Sequence, residues 1–228
     1  MRQNYIRGVR LKTPVEPDSY LHSLPAVRHL AQVEALTFSR AVTFLVGENG
    51  TGKSTLLEAI AVAAGFNAEG GTRNFSFSTS STHSPLHRHL TLIKDAFPKD
   101  GFFLRAESFY NAASYIDALD EIPAGRPPIS ASYGGKSLHK QSHGESFLAL
   151  VQNRFGGDGL YLLDEPEAAL SPTRLMTLMA HLHALVQKRS QFIIATHSPM
   201  LMAYPGAQVY ELSAAGIRPV DYRETEHY

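Results

Sequence analysis

An α/β domain built on a mainly parallel central sheet is what this sequence predicts, and three observations predict it. A continuous apolar strand, Val42–Val46, runs into a glycine-rich turn and then a helix, as a central strand covered on both faces does. The last third of the chain alternates strand and helix in a βαβ rhythm. The 228 residues, 43% of them hydrophobic, suffice to bury one full core. One domain spanning 1–228 is therefore expected.

Residues 1–46 read as two or three short strands, with Tyr5–Leu11 first, a turn at Pro14 and Pro17, and Val42–Val46 last. The helix after the glycine turn carries Leu56, Leu57, Ile60, Ala61 and Ala64 on one face, and Gly65 stands where it should stop. From Asn67 to about Ser84 the composition is Gly, Ser, Thr and Asn, a surface excursion in which Asn74–Ser78 alternates like an edge strand or hairpin. Phe102–Leu104 restores a buried strand, Tyr110–Leu119 has a helical pattern, and Ile122–Tyr133 is a Pro/Gly loop leading to Gly134-Gly135-Lys136. A helix over about Glu145–Phe155, a strand Leu160–Leu163, a helix Pro172–Lys188 and a strand Phe192–Ala195 follow. Two closing strands, Gln208–Leu212 and Ile217–Tyr222, complete the chain. Ser171 is placed to cap the long helix, with Pro172 in its first turn.

Composition excludes several classes. With no cysteine there is neither a disulfide framework nor a thiolate metal site. No signal peptide and no apolar run long enough to cross a bilayer is seen, which points to a cytoplasmic protein that does not itself span a membrane. Twenty-one basic residues balance 21 acidic ones, so bulk charge does not argue for nucleic acid, although a local basic groove stays open. His83, His87 and His89 have no Asp, Glu or Cys among them and read as a polar loop. His181 and His183 are two apart on a helix and do not share a face.

The chemistry lies in Gly47-Glu48-Asn49-Gly50-Thr51-Gly52-Lys53-Ser54. Glycines at this spacing let successive backbone N–H groups wrap a β-phosphate, Lys53 supplies a point charge and Ser54 a hydroxyl for Mg²⁺. The N-terminus of the following helix adds partial positive charge to the same anion. Such a loop needs a carboxylate at the end of a neighbouring buried strand, and Leu160-Tyr161-Leu162-Leu163-Asp164 supplies it, with Glu165 directly after. Asp164 suits the metal shell and Glu165 the attacking water. Phe192–Ala195 ends in Thr196-His197, and parallel topology brings His197 to the same edge of the sheet, within reach of a γ-phosphate.

In these residues the chain resembles the ATP-binding-cassette (ABC) class of P-loop NTPases, in particular soluble members grouped with RecF-like and SMC-like heads. Gly47–Ser54 with Thr55 matches the Walker A segment, Leu160–Asp164 with Glu165 Walker B, Ala168–Ser171 the D-loop, and Thr196–Pro199 the switch-histidine turn. Ser142-His143-Gly144-Glu145-Ser146 stands where the class has its signature loop, a variant in which His143 replaces the first glycine and Gln141 the usual leucine. Ser171 departs from the aspartate common in transporter D-loops. The resemblance implies an antiparallel β portion beside the parallel sheet and a small helical or variable lobe over roughly 85–145.

What the class does with these residues implies ATP and Mg²⁺ as ligands, with Lys53, Glu165 and His197 catalytic and Ser54 and Asp164 at the metal. Gly47 through Thr55 would bind one nucleotide, and Ser142, Gly144 and Glu145 would reach the γ-phosphate held by a second copy in a head-to-tail, ATP-dependent homodimer. Glu107 falls where the class carries a polar residue near the metal, and Tyr20 where an aromatic stacks on adenine. The chain between Ser54 and Ser142 is too short for long coiled-coil arms. Three roles follow: a soluble ATPase acting on a protein or nucleic-acid partner, the nucleotide-binding subunit of a membrane transporter, or a nucleotide-gated regulatory or defence module with little turnover.

Overall fold

Two β-sheets share one chain in the computed structural model, which describes residues 4–73, 83–106, 143–225 and 228. The central sheet has six strands: β3 (Val42–Gly47), β5 (Asp100–Arg105), β6 (Gly159–Asp164), β7 (Gln191–Ala195), β8 (Gln208–Ser213) and β9 (Gly216–Val220). Their spatial order is β5-β6-β7-β3-β8-β9, parallel throughout except for the β8–β9 hairpin at one edge. A second, antiparallel sheet has the order β2-β1-β4, from β1 (Ile6–Leu11), β2 (Leu36–Thr37) and β4 (Leu90–Lys94).

Side-chain alternation along the central strands divides the core in two. Leu160, Leu162, Leu45 and Ile193 face one way, toward α2 (Lys53–Ala63), α1 (Pro25–Leu30) and the antiparallel sheet. Tyr161, Leu163, Phe44 and Ile194 face the other, toward α3 (His143–Arg154), α4 (Pro172–Gln187) and the short α5 (Pro199–Met202). Inside the first layer Leu56, Leu57 and Ile60 of α2 are wholly buried, each contributing about 1.5–3 kcal/mol by leaving water. Gln191, buried in β7, joins the two sheets: its side chain accepts from Ile6 N (2.9 Å) and donates to Ile6 O (2.7 Å), standing in for a strand partner.

Local sequence explains the helix starts. Ser171 accepts from Arg174 N (3.5 Å) with Pro172 in the first turn of α4, as expected. β9 ends at Val220 rather than Tyr222, because Asp221 caps a 3-10 turn over Tyr222–Glu224 through Arg223 N (2.9 Å). Pro219 is tolerated in β9 because that strand is an edge.

Several features differ from the sequence reading. α1 and β4 carry no strong periodicity and were not expected; tertiary contact forms them, α1 against β9 and β4 against β1. Strand β7 stands between β3 and β6, so Asp164 ends a strand one removed from the phosphate-loop strand rather than its neighbour. Of the segment 85–145 expected as a helical or variable lobe, 85–105 carries a 3-10 turn, β4 and β5, and α3 opens at His143, while 107–142, including the helical pattern Tyr110–Leu119, lies outside the described residues. The alternating piece Asn74–Ser78 lies outside them as well. His89 is buried rather than in a polar loop, 3.2 Å from both Thr13 and Glu16. No helix among the described residues is long and apolar enough to cross a membrane.

Candidate functional site

The carboxyl ends of the parallel strands set the place, since in open α/β sheets ligands collect there. Backbone hydrogen bonds continue past the strand ends and fix each turn against the next. Thr196 N donates to Leu45 O (3.1 Å), Glu165 N to Ala195 O (2.9 Å) and Ala106 N to Asp164 O (3.2 Å). The turns after β3, β7, β6 and β5 are thereby aligned in one row.

Gly47 opens the phosphate loop at φ +133°, and a Cβ there would lie 2.0 Å from Leu212 O, so only glycine lets the loop start against β8. Lys53 begins α2 and folds back over the loop, its Nζ donating to Gly47 O and Glu48 O at 2.8 Å each. Burial pushes the Lys53 amine below its ordinary value, while Glu165, Asp164 and Glu167 pull it up. Thr51 Oγ1 closes the loop on Glu48 O (2.8 Å), and α1 buttresses it from outside through Ala26 N to Thr51 O (3.2 Å). Asn49 and Gly50 sit at the exposed tip, and Thr55 is half-buried in α2.

Ser54 and Asp164 line one cavity of about 250 Å³ together with Arg105, Ala106, Glu165, Ala168 and Ala169. A serine hydroxyl and a carboxylate are hard oxygen donors, the donor chemistry suited to Mg²⁺. The register pairs Arg105 with Asp164 across β5 and β6, which places the guanidinium 3.6 Å from the carboxylate. Arg105 also binds Glu58 Oε2 (2.7 Å), one helical turn below Ser54 on α2. Glu58 and Asp164 are both buried, and Arg105 supplies the cation that two buried carboxylates require.

Glu165 adopts a left-handed backbone, φ 48° and ψ 52°. For a residue with a Cβ this conformation is uncommon and costs about 1–3 kcal/mol, and such residues cluster at functional sites. Its Oε1 lies 3.4 Å from His197 Nε2. Glu167 accepts from Thr196 Oγ1 (2.8 Å) and from His197 N (2.5 Å) through a single oxygen, Oε1.

On the other flank, Gly144 in the first turn of α3 meets the segment after β6 so closely that a Cβ would lie 2.9 Å from Ala169 O and 2.5 Å from Arg174 Nη1. Glu145 pairs with Arg174 (3.1 Å). Within the chain these two residues therefore rest against the turn 166–171 and the start of α4. Ser142 and Glu107 lie outside the described residues. Tyr20 sits in a 3-10 turn ahead of α1, 57% exposed.

The structure thus brings Lys53, Ser54, Asp164, Glu165 and His197 to one edge of the sheet, as the sequence predicts. Sequence reasoning missed Glu58, Arg105 and Glu167. A buried acid inside an apolar helix face was the available signal for Glu58; Arg105 and Glu167 carry none, because their partners are distant in sequence.

Two family models match the sequence. One, described as "AAA domain", covers residues 24–99, and the other, described as "AAA domain, putative AbiEii toxin, Type IV TA system", covers residues 140–203. No curated protein matches. Among solved structures, cbiO1 from Clostridium perfringens, part of the ABC transporter complex cbiONQ, is similar at 18% identity over 97% of this chain and 90% of that one, with a TM-score of 0.56. The SMC head domain from Thermotoga maritima is 17% identical over 82% of this chain and 92% of that one, with a TM-score of 0.44. At these identities the likeness to cbiO1 is one of fold.

Proposed function

We propose that this chain is a P-loop ATPase of ABC type that binds Mg-ATP on Gly47–Thr55 and hydrolyses it in a site completed by a second copy, as a single domain acting on a protein or nucleic-acid partner; the two AAA-domain matches support this reading. The observation that carries this reading is the cavity shared by Ser54, Asp164 and Glu165, with Lys53 next to Ser54 and His197 3.4 Å from Glu165.

Lys53 exchanges its carbonyl partners for phosphate oxygens, and the N-terminus of α2 adds its partial charge. Ser54 and Asp164 would hold Mg²⁺, which would supply positive charge beside the transferring phosphate. Glu165 orients a water and takes its proton as the new O–P bond forms and the β–γ bridging bond breaks. His197 donates to the γ-phosphate oxygens as charge develops there. Ser142, Gly144 and Glu145 act in trans, on nucleotide held by the other copy; the contact of Gly144 and Glu145 with Ala169 and Arg174 fits a surface poised beside the D-loop segment.

The test is the size of the Glu165→Gln protein. Elution as a dimer with saturating ATP-Mg and as a monomer without it supports the composite site; a monomer under both conditions overturns it. A second reading, a nucleotide-gated defence module with little turnover, draws on the toxin–antitoxin description of the model matching 140–203. Wild-type hydrolysis that Glu165→Gln abolishes, with ATP binding kept, excludes that reading.

A further inference from the structure

Two turns carry the residues nearest the reacting phosphate, Glu165 after β6 and His197 after β7, and one carboxylate joins them. Glu167 lies in the 3-10 turn Pro166–Ala169, and its Oε1 accepts both the His197 main-chain N–H (2.5 Å) and the Thr196 hydroxyl (2.8 Å). Thr196, wholly buried, passes the constraint on by accepting from Ser198 N at 2.9 Å. The second carboxylate oxygen, Oε2, is out of solvent and has no hydrogen-bond partner among the described residues. A carboxylate that spends one oxygen on two donors and leaves the other buried is costly as plain structure. An apolar side chain capping the same turn would avoid that cost.

We infer that Glu167 is a positioning residue for the ATPase reaction, a clamp that fixes the backbone of His197 and so aims its imidazole. The inference rests on the hydrolytic reading above for its effect on rate, but not for its effect on His197. His197 has a flexible χ1 and χ2, and its ring is aimed only if the Cα is held; the main-chain N–H bond to Glu167 holds it. The Glu165 N to Ala195 O bond fixes the turn after β6 to the end of β7, so clamp and water-orienting carboxylate move as one body. Thr196 and Glu167 then act in series, and loss of either frees the same turn.

The experiment is a double-mutant cycle between positions 167 and 197 with a spectroscopic readout beside it. Glu167→Ala lowers kcat on the order of tenfold to a hundredfold, the effect of misplacing a catalytic group by about an ångström, with KM for ATP within about twofold. In a His197→Ala background the same substitution adds less than about threefold, because the clamp then has nothing to aim. Glu167→Gln keeps the Oε1 acceptor and restores most of the rate; should Glu167→Ala fail to fold, Thr196→Val carries the cycle with His197→Ala. In NMR spectra of the nucleotide-free protein, the His197 amide proton, downfield through its carboxylate bond, moves upfield in Glu167→Ala. Multiplying effects of the 167 and 197 substitutions overturn the inference, as does an unmoved His197 amide. An upfield shift in a protein that hydrolyses no ATP keeps the clamp and removes the hydrolytic reading instead.

Discussion

The central sheet has a cluster of charges at each end, and the two are built on opposite principles. At the amino ends of β5 and β6, Asp100 accepts from Tyr161 (2.7 Å), Gly156 N (3.1 Å) and Arg154 (2.8 Å). Beside it Asp158 is held by Arg189 (2.6 and 3.0 Å) and Lys99 (3.2 Å). Burial alone would push the Asp100 carboxyl up, but hydrogen bonds from Tyr161 and Arg154 outweigh it and hold it below its usual value. Burial and the facing Asp100 push the Tyr161 phenol far up. Every group in that cluster answers another. At the carboxyl ends, Lys53 rests on backbone carbonyls instead of an acid, Glu165 is held in a left-handed backbone, and the side chains surround a cavity. Charge and burial alone do not mark a site; open coordination around a space does.

The sharpest break between the two ends is Glu165→Gln. It should reduce ATP turnover by about 10²–10⁴-fold and leave ATP affinity within a few fold, read by single-turnover hydrolysis and by calorimetry. Next, Lys53→Ala should weaken ATP binding by about 2–5 kcal/mol, roughly thirtyfold to several-thousandfold in Kd. Retained affinity would remove the phosphate-loop assignment. At the closed end Tyr161→Phe should do the reverse: a loss of about 1–3 kcal/mol in urea unfolding, with ATP affinity unchanged. An altered ATP affinity in Tyr161→Phe would mean that the two ends are coupled.

The smallest effect is a pH dependence. Asp158 is depressed to about 2, first by its hydrogen bond from Arg189 and then by Lys99. A carboxylate with a depressed folded pKa binds fewer protons in the folded state than in the unfolded one. Its stabilisation is fully present above the unfolded value of about 3.9 and is lost as pH falls toward about 2. Asp100 acts in the same direction. Urea unfolding midpoints of Asp158→Asn should therefore fall less between about pH 4 and about pH 2 than those of the wild type. Parallel curves would show that the pairing with Arg189 contributes nothing to folding.

What could be read in the sequence follows a physical rule. The phosphate loop, the Asp164-Glu165 pair and the turn at His197 each depend on neighbours within a few positions and on one strand end, so spacing announces them. The parallel sheet was legible for the same reason, through the mostly apolar, buried runs of β3, β6 and β7. Arg105 is a different kind of residue. Its partners Glu58 and Asp164 come from another helix and another strand, joined only by register. Glu167 likewise meets Thr196 and His197 across about thirty positions. The antiparallel β4 and helix α1 were hidden because their residues are held by β1 and β9 rather than by their own pattern.

The contact between Gly47 and Leu212 carries a lesson about what constitutes the unit of function. Every recognisable motif lies before Ala203, and neither family model reaches beyond it. Yet β8 pairs with β3 from Thr43 to Gly47, and its carbonyl at Leu212 is the wall against which the phosphate loop begins. A version of the chain cut after Ala203 would keep its whole chemical vocabulary and lose the abutment on which the first word is spoken. The featureless strand β8 is thus as much a part of the candidate phosphate site as the loop that rests on it.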